Sequence, residues 1–236
     1  MRQEEALLRD LVAANRILAR EGVVDAFGHV SIRKPGDSAR YIMSRSRSPE
    51  LVELSDLMEF ELDGTPVDAR GRTPYGERMI HGAIYEARPD TQSVVHNHSY
   101  DVLPFSVTSV RLQSVVHVAS VIGHEVPVWD IRERFGDTDM LVRTMAQGRD
   151  MAKTLAENSC LLMRGHGAVI AGHSLREAVL TAIYLQVNAR IQLQALQLGD
   201  PKVLSTAEIN LTRETQFSPL SIDRVWEYFL SRVAVK

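Results

Sequence analysis

The chain predicts an α/β fold, a central sheet covered by helices on both faces, and three observations carry that prediction. Amphipathic helical stretches alternate with short strands rich in Val and Ile along all 236 residues. Glycine and proline punctuate each change of periodicity. No internal repeat, low-complexity stretch or linker divides the chain, so residues 1–236 are expected to form one domain.

The elements follow in order. Residues 3 to 21 predict a helix, with Leu7, Leu8, Leu11, Val12, Ile17 and Leu18 recurring at three- and four-residue steps and Gly22 as its stop. Asp25 to Arg33 is a glycine turn leading into an alternating strand. Arg40 to Ser44 pairs back as a hairpin across Pro35-Gly36, and Leu57 to Leu62 forms a third strand before the Asp63-Gly64 turn. Thr73 opens a helix to about Ala87, with Met79, Ile80, Ala83 and Ile84 as its buried stripe. A Val-rich strand runs through His96 and His98, and Ser99 to Val107 is a short helix or turn. Val126 to Trp129 is an edge strand, because Pro127 cannot donate to a ladder. A helix is predicted over Met140 to Glu157 and strands over Ser159 to Met163 and Ala168 to Ala171. A long helix over Ser174 to Leu198 is capped by Ser174 with Glu177 three residues on, and a last helix over 219–231 carries Trp226 and Phe229.

Composition excludes several function classes. With 44% hydrophobic and 24% charged residues the chain is an ordinary globular sequence, and a net charge of −3 argues against general affinity for nucleic acid or membrane surfaces. No run of apolar residues is long enough for a membrane span, and no signal peptide is visible at the amino terminus, so the expected compartment is cytoplasmic. The single cysteine, Cys160 in Cys-Leu-Leu-Met, excludes an intramolecular disulfide and reads as a buried structural thiol.

Chemistry concentrates in the histidines. In an extended strand His96 and His98 share a face, and His166 sits on a turn between Gly165 and Gly167. Three imidazoles with open positions suit a catalytic metal better than a structural zinc, which fills all four positions and favours cysteine. Such a site also needs a carboxylate, and Glu77, at the expected start of a helix upstream, is the candidate. His81, His124 and His173 read as structural or solvent-facing.

Together, His96-Asn97-His98, Gly165-His166-Gly167, Glu77 and the early Gly28-His-Val-Ser-Ile-Arg33 resemble the class II aldolase/adducin superfamily over roughly residues 5 to 198. The resemblance implies a three-layer α/β/α fold around a mixed or antiparallel sheet. It also implies a homotetramer with active sites at subunit interfaces. It makes His96, His98 and His166 the ligands of one divalent cation per subunit, Mn²⁺ or Zn²⁺, and gives Glu77 the acid/base position, where burial is expected to raise its pKa.

Departures from the aldolase pattern select a branch. Sugar-phosphate aldolases of the superfamily usually read Gly-Asn-x-Ser, but here His29 follows Gly28, and the small-residue phosphate loop is replaced by Met43-Ser-Arg-Ser-Arg-Ser-Pro49. Ser44, Arg45 and Arg47 suit a carboxylate, which arginine grips bidentately, and His117 aligns with the region that supplies a second acid in the aldolases. The pattern is similar to the decarboxylase branch, which acts on hydroxylated cyclic or muconic dicarboxylates. The substrate this resemblance leads one to expect is 3-hydroxy-2-methylpyridine-4,5-dicarboxylate, with Glu77 and His29 expected to handle protons. The alternatives are a sugar-phosphate aldolase or epimerase and a non-catalytic adducin-like scaffold.

Overall fold

The computed structural model describes residues 2–233. After helix α1 (Arg2–Arg20) come strands β1 (His29–Arg33), β2 (Arg40–Ser44) and β3 (Leu57–Glu61), helix α2 (Met79–Ala87) and strand β4 (Ser93–Asn97). Helix α3 (Leu103–Ser106) and the short strands β5 (Leu112–Gln113), β6 (Glu125–Val126) and β7 (Val128–Trp129) lead to helices α4 (Ile131–Phe135) and α5 (Met145–Leu155). Strands β8 (Cys160–Met163) and β9 (Gly167–Gly172) precede helices α6 (Leu175–Leu198), α7 (Thr206–Gln216) and α8 (Pro219–Leu230).

Seven strands form one sheet in the order β3-β2-β1-β4-β9-β8-β7. Its pairs are antiparallel except β7 with β8, so the sheet is mixed. Pro127 splits the expected edge strand into β6 and β7, which join different sheets. Alternation along the strands divides the core between the two faces. Val30, Ile32, Val95, Leu162 and Ile170 pack with Leu11, Ile17, Val179, Ile183 and Trp226 from α1, α6 and α8. Tyr41, Met43, Val94, Leu161 and Val169 pack on the other side with Ile80, Ile84, Met151 and Leu155 from α2 and α5. The layers are therefore helix, sheet, helix, with Cys160 buried in the first core and its thiol pushed up to about 12 by burial.

Two helix boundaries differ from expectation. The helix predicted from Thr73 begins only at Met79, because residues before it are tied to other loops. The Tyr75 hydroxyl donates to the Arg47 carbonyl, and the Arg78 guanidinium donates to the Gly64 carbonyl at 2.6 Å. The helix predicted from Met140 begins at Met145, where Thr144 and Gln147 form a capping box; Met140 itself sits at φ 64°, outside any helix. Two helices absent from the prediction, α4 and α7, have local caps at Asp130 and at Ser205 with Glu208, but too few apolar positions to show a periodic stripe.

Candidate metal centre and its cleft

The register of the three central strands assembles the site. His29 pairs across from His96 on β4, and His96 pairs across from Val169 on β9. His29, Ser31 and His96 thus project from the sheet face opposite Val30, Ile32 and Val95, towards α2. His98 lies just beyond the end of β4, and His166 occupies the β8–β9 turn, where Gly165 at φ 62° reverses the chain.

Four side chains converge. One ligand atom each from Glu77, His96, His98 and His166 lies within 4.8 Å of all the others. His96 Nε2 is 3.1 Å from His98 Nε2, and Glu77 Oε2 stands 3.4 Å from His166 Nε2 and 3.7 Å from His96 Nε2. Ligands about 2.1 Å from a tetrahedral metal stand about 3.4 Å apart, so the spacing suits a bound cation. The orientation of the rings fits as well. His96 Nδ1 faces the Ala168 carbonyl at 3.1 Å, His166 Nδ1 the Met140 carbonyl at 3.0 Å, and His98 Nδ1 the Asp25 carboxylate at 3.3 Å. Each ring commits Nδ1 to an oxygen acceptor, which places the lone pair on Nε2, as metal-binding imidazoles require. The donor set, three imidazoles and a carboxylate, fits a divalent ion such as Zn²⁺ or Mn²⁺.

Glu77 corrects one expectation. It is buried, and burial alone raises its pKa, but the His166 hydrogen bond, the neighbouring His96 and the Val142 amide at 2.9 Å outweigh that and hold it down at about 2. Its carboxyl is therefore ionised across the neutral range. The opposite shift appears on His166, where burial opposes protonation but Glu77 and the Met140 carbonyl raise the pKa. Burial pushes His96 and His29 well below 6.5 and His81 down to about 3, so all three rings are neutral.

A cleft of ≈590 Å³ opens beside the four, lined among others by Phe27, His29, Arg47, Tyr75, Glu77, His98 and Arg143. Arg143, on the segment expected to be helical, lacks a distinguishing sequence signal. Of the three residues expected to grip substrate from the Ser/Arg loop, only Arg47 lines this cleft. Arg45 Nε and Arg47 Nη1 both donate to Asp56, each at 2.6 Å, and Ser44 is buried at the end of β2. Asp56 answers a buried position with these two guanidiniums and the Glu53 amide, which keep its carboxyl below the usual range. His117, expected from the region that in the aldolases serves a neighbouring subunit, is exposed at the start of a 3₁₀ turn and faces Gln216 at 3.1 Å, so it does not line the cleft of its own chain.

Tyr75 carries no expectation from the sequence, and His81 is expected there to be structural or solvent-facing. The Tyr75 ring lies 4.6 Å from that of His29, closing one wall. His81 is fully buried behind His29 rather than facing solvent.

Comparison with known proteins agrees with this architecture. The chain is 37% identical over 205 residues to decarboxylase tropJ of Talaromyces stipitatus, covering 81% of this chain and 77% of that one. It is 29% identical over 208 residues to a 3,4-dihydroxyphthalate decarboxylase of Arthrobacter keyseri, covering 81% and 79%. Among solved structures, an aldolase II superfamily protein from Pseudomonas syringae superposes with a TM-score of 0.81 at 22% identity over 98% of this chain and 93% of that one. An L-fuculose 1-phosphate aldolase from Glaciozyma antarctica PI12 gives 0.78 at 23% identity, covering 98% and 89%. The family described as the class II aldolase and adducin N-terminal domain matches residues 9–193, and on that match this chain belongs to the class II aldolase and adducin family.

Proposed function

We propose that the chain is a divalent-metal-dependent decarboxylase of a hydroxylated aromatic dicarboxylate. The observation that carries this reading is the cleft itself. It is lined by Glu77 and His98 of the convergent His/Glu cluster, by the guanidiniums of Arg47 and Arg143 and by the rings of His29 and Tyr75. Guanidiniums and aromatic walls suit a planar ring acid, whereas a sugar phosphate is held by small residues whose amides approach it.

The relatives' names narrow the substrate class. 3,4-Dihydroxyphthalate and 3-hydroxy-2-methylpyridine-4,5-dicarboxylate share one pattern, a hydroxyl and two carboxylates on three consecutive ring atoms. We take that pattern, rather than the pyridine ring alone, as the recognised feature. A cation held by His96, His98 and His166 would supply Lewis acidity towards the ring hydroxyl and its neighbouring carboxylate. Glu77, being ionised, takes the hydroxyl proton and returns it to the ring carbon that bears the adjacent carboxylate. The bond to that carboxylate then breaks, CO₂ leaves, and the bonding electrons restore the aromatic ring. Solvent reprotonates the hydroxyl, so one proton is consumed per turnover. Arg47 and Arg143 face the second carboxylate, and His29 hydrogen-bonds the substrate from the inner wall.

The same proposal includes a homotetramer with clefts between subunits, supported by Phe27, which stays 69% exposed at the cleft edge; sedimentation measures the assembly. The functional test is a screen for CO₂ release from both dicarboxylates and their monoacid analogues, with Mn²⁺ and with Zn²⁺. Release from the dicarboxylates is expected. Aldehyde production from ketose phosphates without CO₂ from any acid would replace this reading by an aldolase.

A further inference from the structure

Behind His29 lies a line of hydrogen bonds that the chemistry above does not use. His29 Nδ1 is 2.6 Å from His81 Nε2, His81 Nδ1 is 2.6 Å from Ser31 Oγ, and Ser31 Oγ is 2.8 Å from the Tyr85 hydroxyl. All four side chains are buried, and none of Ser31, His81 and Tyr85 lines the cleft. The helix supplies His81 and Tyr85 four residues apart, and the strand supplies His29 and Ser31 two residues apart, so each pair shares a face. The line is thus built into the docking of α2 on β1.

Its direction follows from donor and acceptor counting. Among the described residues Ser31 Oγ is the hydrogen-bond partner of the buried Tyr85 hydroxyl, and an O–H turned away from it would be left without an acceptor. The Tyr85 hydroxyl proton is left to Ser31 Oγ, Ser31 donates in turn to His81 Nδ1, and His81 then carries its proton on Nε2 and donates it to His29 Nδ1. A neutral imidazole has one N–H, so the proton of His29 sits on Nε2, the nitrogen left for the cleft that His29 lines.

We infer that His81 is a positioning residue that makes His29 an obligate N–H donor to a substrate carboxylate. A carboxylate only accepts hydrogen bonds, so a fixed donor welcomes it, whereas the other tautomer would turn a lone pair towards it. The identity of the ligand rests on the dicarboxylate reading above, but the state of His29 does not.

Two measurements test this. In ¹⁵N-histidine-labelled, Zn²⁺-loaded protein, the His29 signals are identified by their loss in His29→Asn, and long-range ¹H–¹⁵N spectra report which nitrogen bears the proton. Wild type is expected to show only the Nε2–H form, His81→Leu a mixture, and His81→Gln, whose amide N–H replaces the imidazole donor, the Nε2–H form again. In parallel, calorimetric binding of phthalate is expected to weaken about tenfold or more in His81→Leu, the loss of one charge-assisted hydrogen bond, and to recover in His81→Gln. For CO₂ release, KM rises by a similar factor while kcat stays within about threefold.

His29 protonated on Nδ1 in wild type, or an unchanged His29 signature in His81→Leu, overturns the proposal. Equal loss of phthalate binding in His81→Gln and His81→Leu overturns it too. Should His81→Leu fail to fold, Tyr85→Phe, which removes the end of the line, must still release a second His29 tautomer. If wild type releases no CO₂ from any acid, the decarboxylase reading falls, while the spectra and phthalate binding still decide the role of His81.

Discussion

Adding one methyl group at Gly167 should dismantle the candidate metal centre. Gly167 opens β9 directly beside β4, and a Cβ built there stands 2.0 Å from the Asn97 carbonyl oxygen, 3.0 Å from its carbon and 3.2 Å from His98 Cδ2. A carbon and a carbonyl oxygen approach no closer than about 3.3 Å, so the Asn97 oxygen has to retreat by about 1.3 Å. Both atoms belong to backbone in the middle of a seven-stranded sheet, so no side chain can yield instead. His98 follows Asn97 and His166 precedes Gly167, and the shift therefore separates ligands whose distances to a metal tolerate about 0.2 Å. Gly167→Ala is expected to cost about 1–3 kcal/mol through overpacking, and so to lower the Tm by about 2–12 °C for a chain of this size. Gly165→Ala is the comparison. Its Cβ meets nothing nearer than Met140 Cε at 3.4 Å, and the cost is that of the left-handed φ of 62°, about 1 kcal/mol. Thermal unfolding and elemental analysis after dialysis against Zn²⁺ read both effects. A Gly167→Ala protein that melts within about 1 °C of wild type with its metal retained would refute the reasoning.

Replacing His96, His98 or His166 by alanine should abolish stoichiometric metal. Asp25→Asn, which removes only the carboxylate behind His98, should weaken binding about 10–100-fold in competition with a chelating dye. Asp56→Asn should free the Arg45 and Arg47 guanidiniums from their shared anchor and change KM for a dicarboxylate more than kcat. An unchanged KM would show that the anchored geometry does not matter. Metal-free protein should lose stability as the pH falls below 6.5. Unfolded, the His29, His81 and His96 rings each take a proton near 6.5; folded, His81 does so near about 3 and the other two well below 6.5. The unfolded state therefore binds more protons between 6.5 and about 3, and each ring removes at most about 1.4 kcal/mol per pH unit in that window. Urea midpoints at pH 7 and pH 5 measure it, and a midpoint that rises at pH 5 contradicts the assignment.

Local patterning made much of this protein legible. The cap at Ser174 with Glu177 marks the start of α6 to the residue, and Pro127 marks the break between β6 and β7. The spacing of His96 with His98, and the glycines around His166, pointed to residues that the fold does bring together with Glu77. Each of these signals is short in range: a periodicity, a cap or a turn residue acts within a few positions of itself.

Long-range partners were not legible, and they account for the corrections. Arg45 and Arg47 looked like free cations until Asp56 was folded against them. His117 stands on a 3₁₀ turn at the surface beside α7, a helix with little apolar patterning, so its partner Gln216 could not be read from the sequence. Burial suggested a raised pKa for Glu77, but a histidine pair and a loop amide decide the sign.

By itself, then, the sequence determined the layered α/β plan and the family likeness, and it picked out the three imidazoles and the carboxylate that the fold brings together. Tertiary structure decided what each group can do there. The β1–β4–β9 register sets the ligands at metal spacing, Ala168, Met140 and Asp25 turn each Nε2 inward, and α2 lays His81 against His29. The physical reason is that an imidazole's useful nitrogen and a carboxyl's charge are set by what lies within about 4 Å, and those neighbours come from strands and helices far apart in the chain.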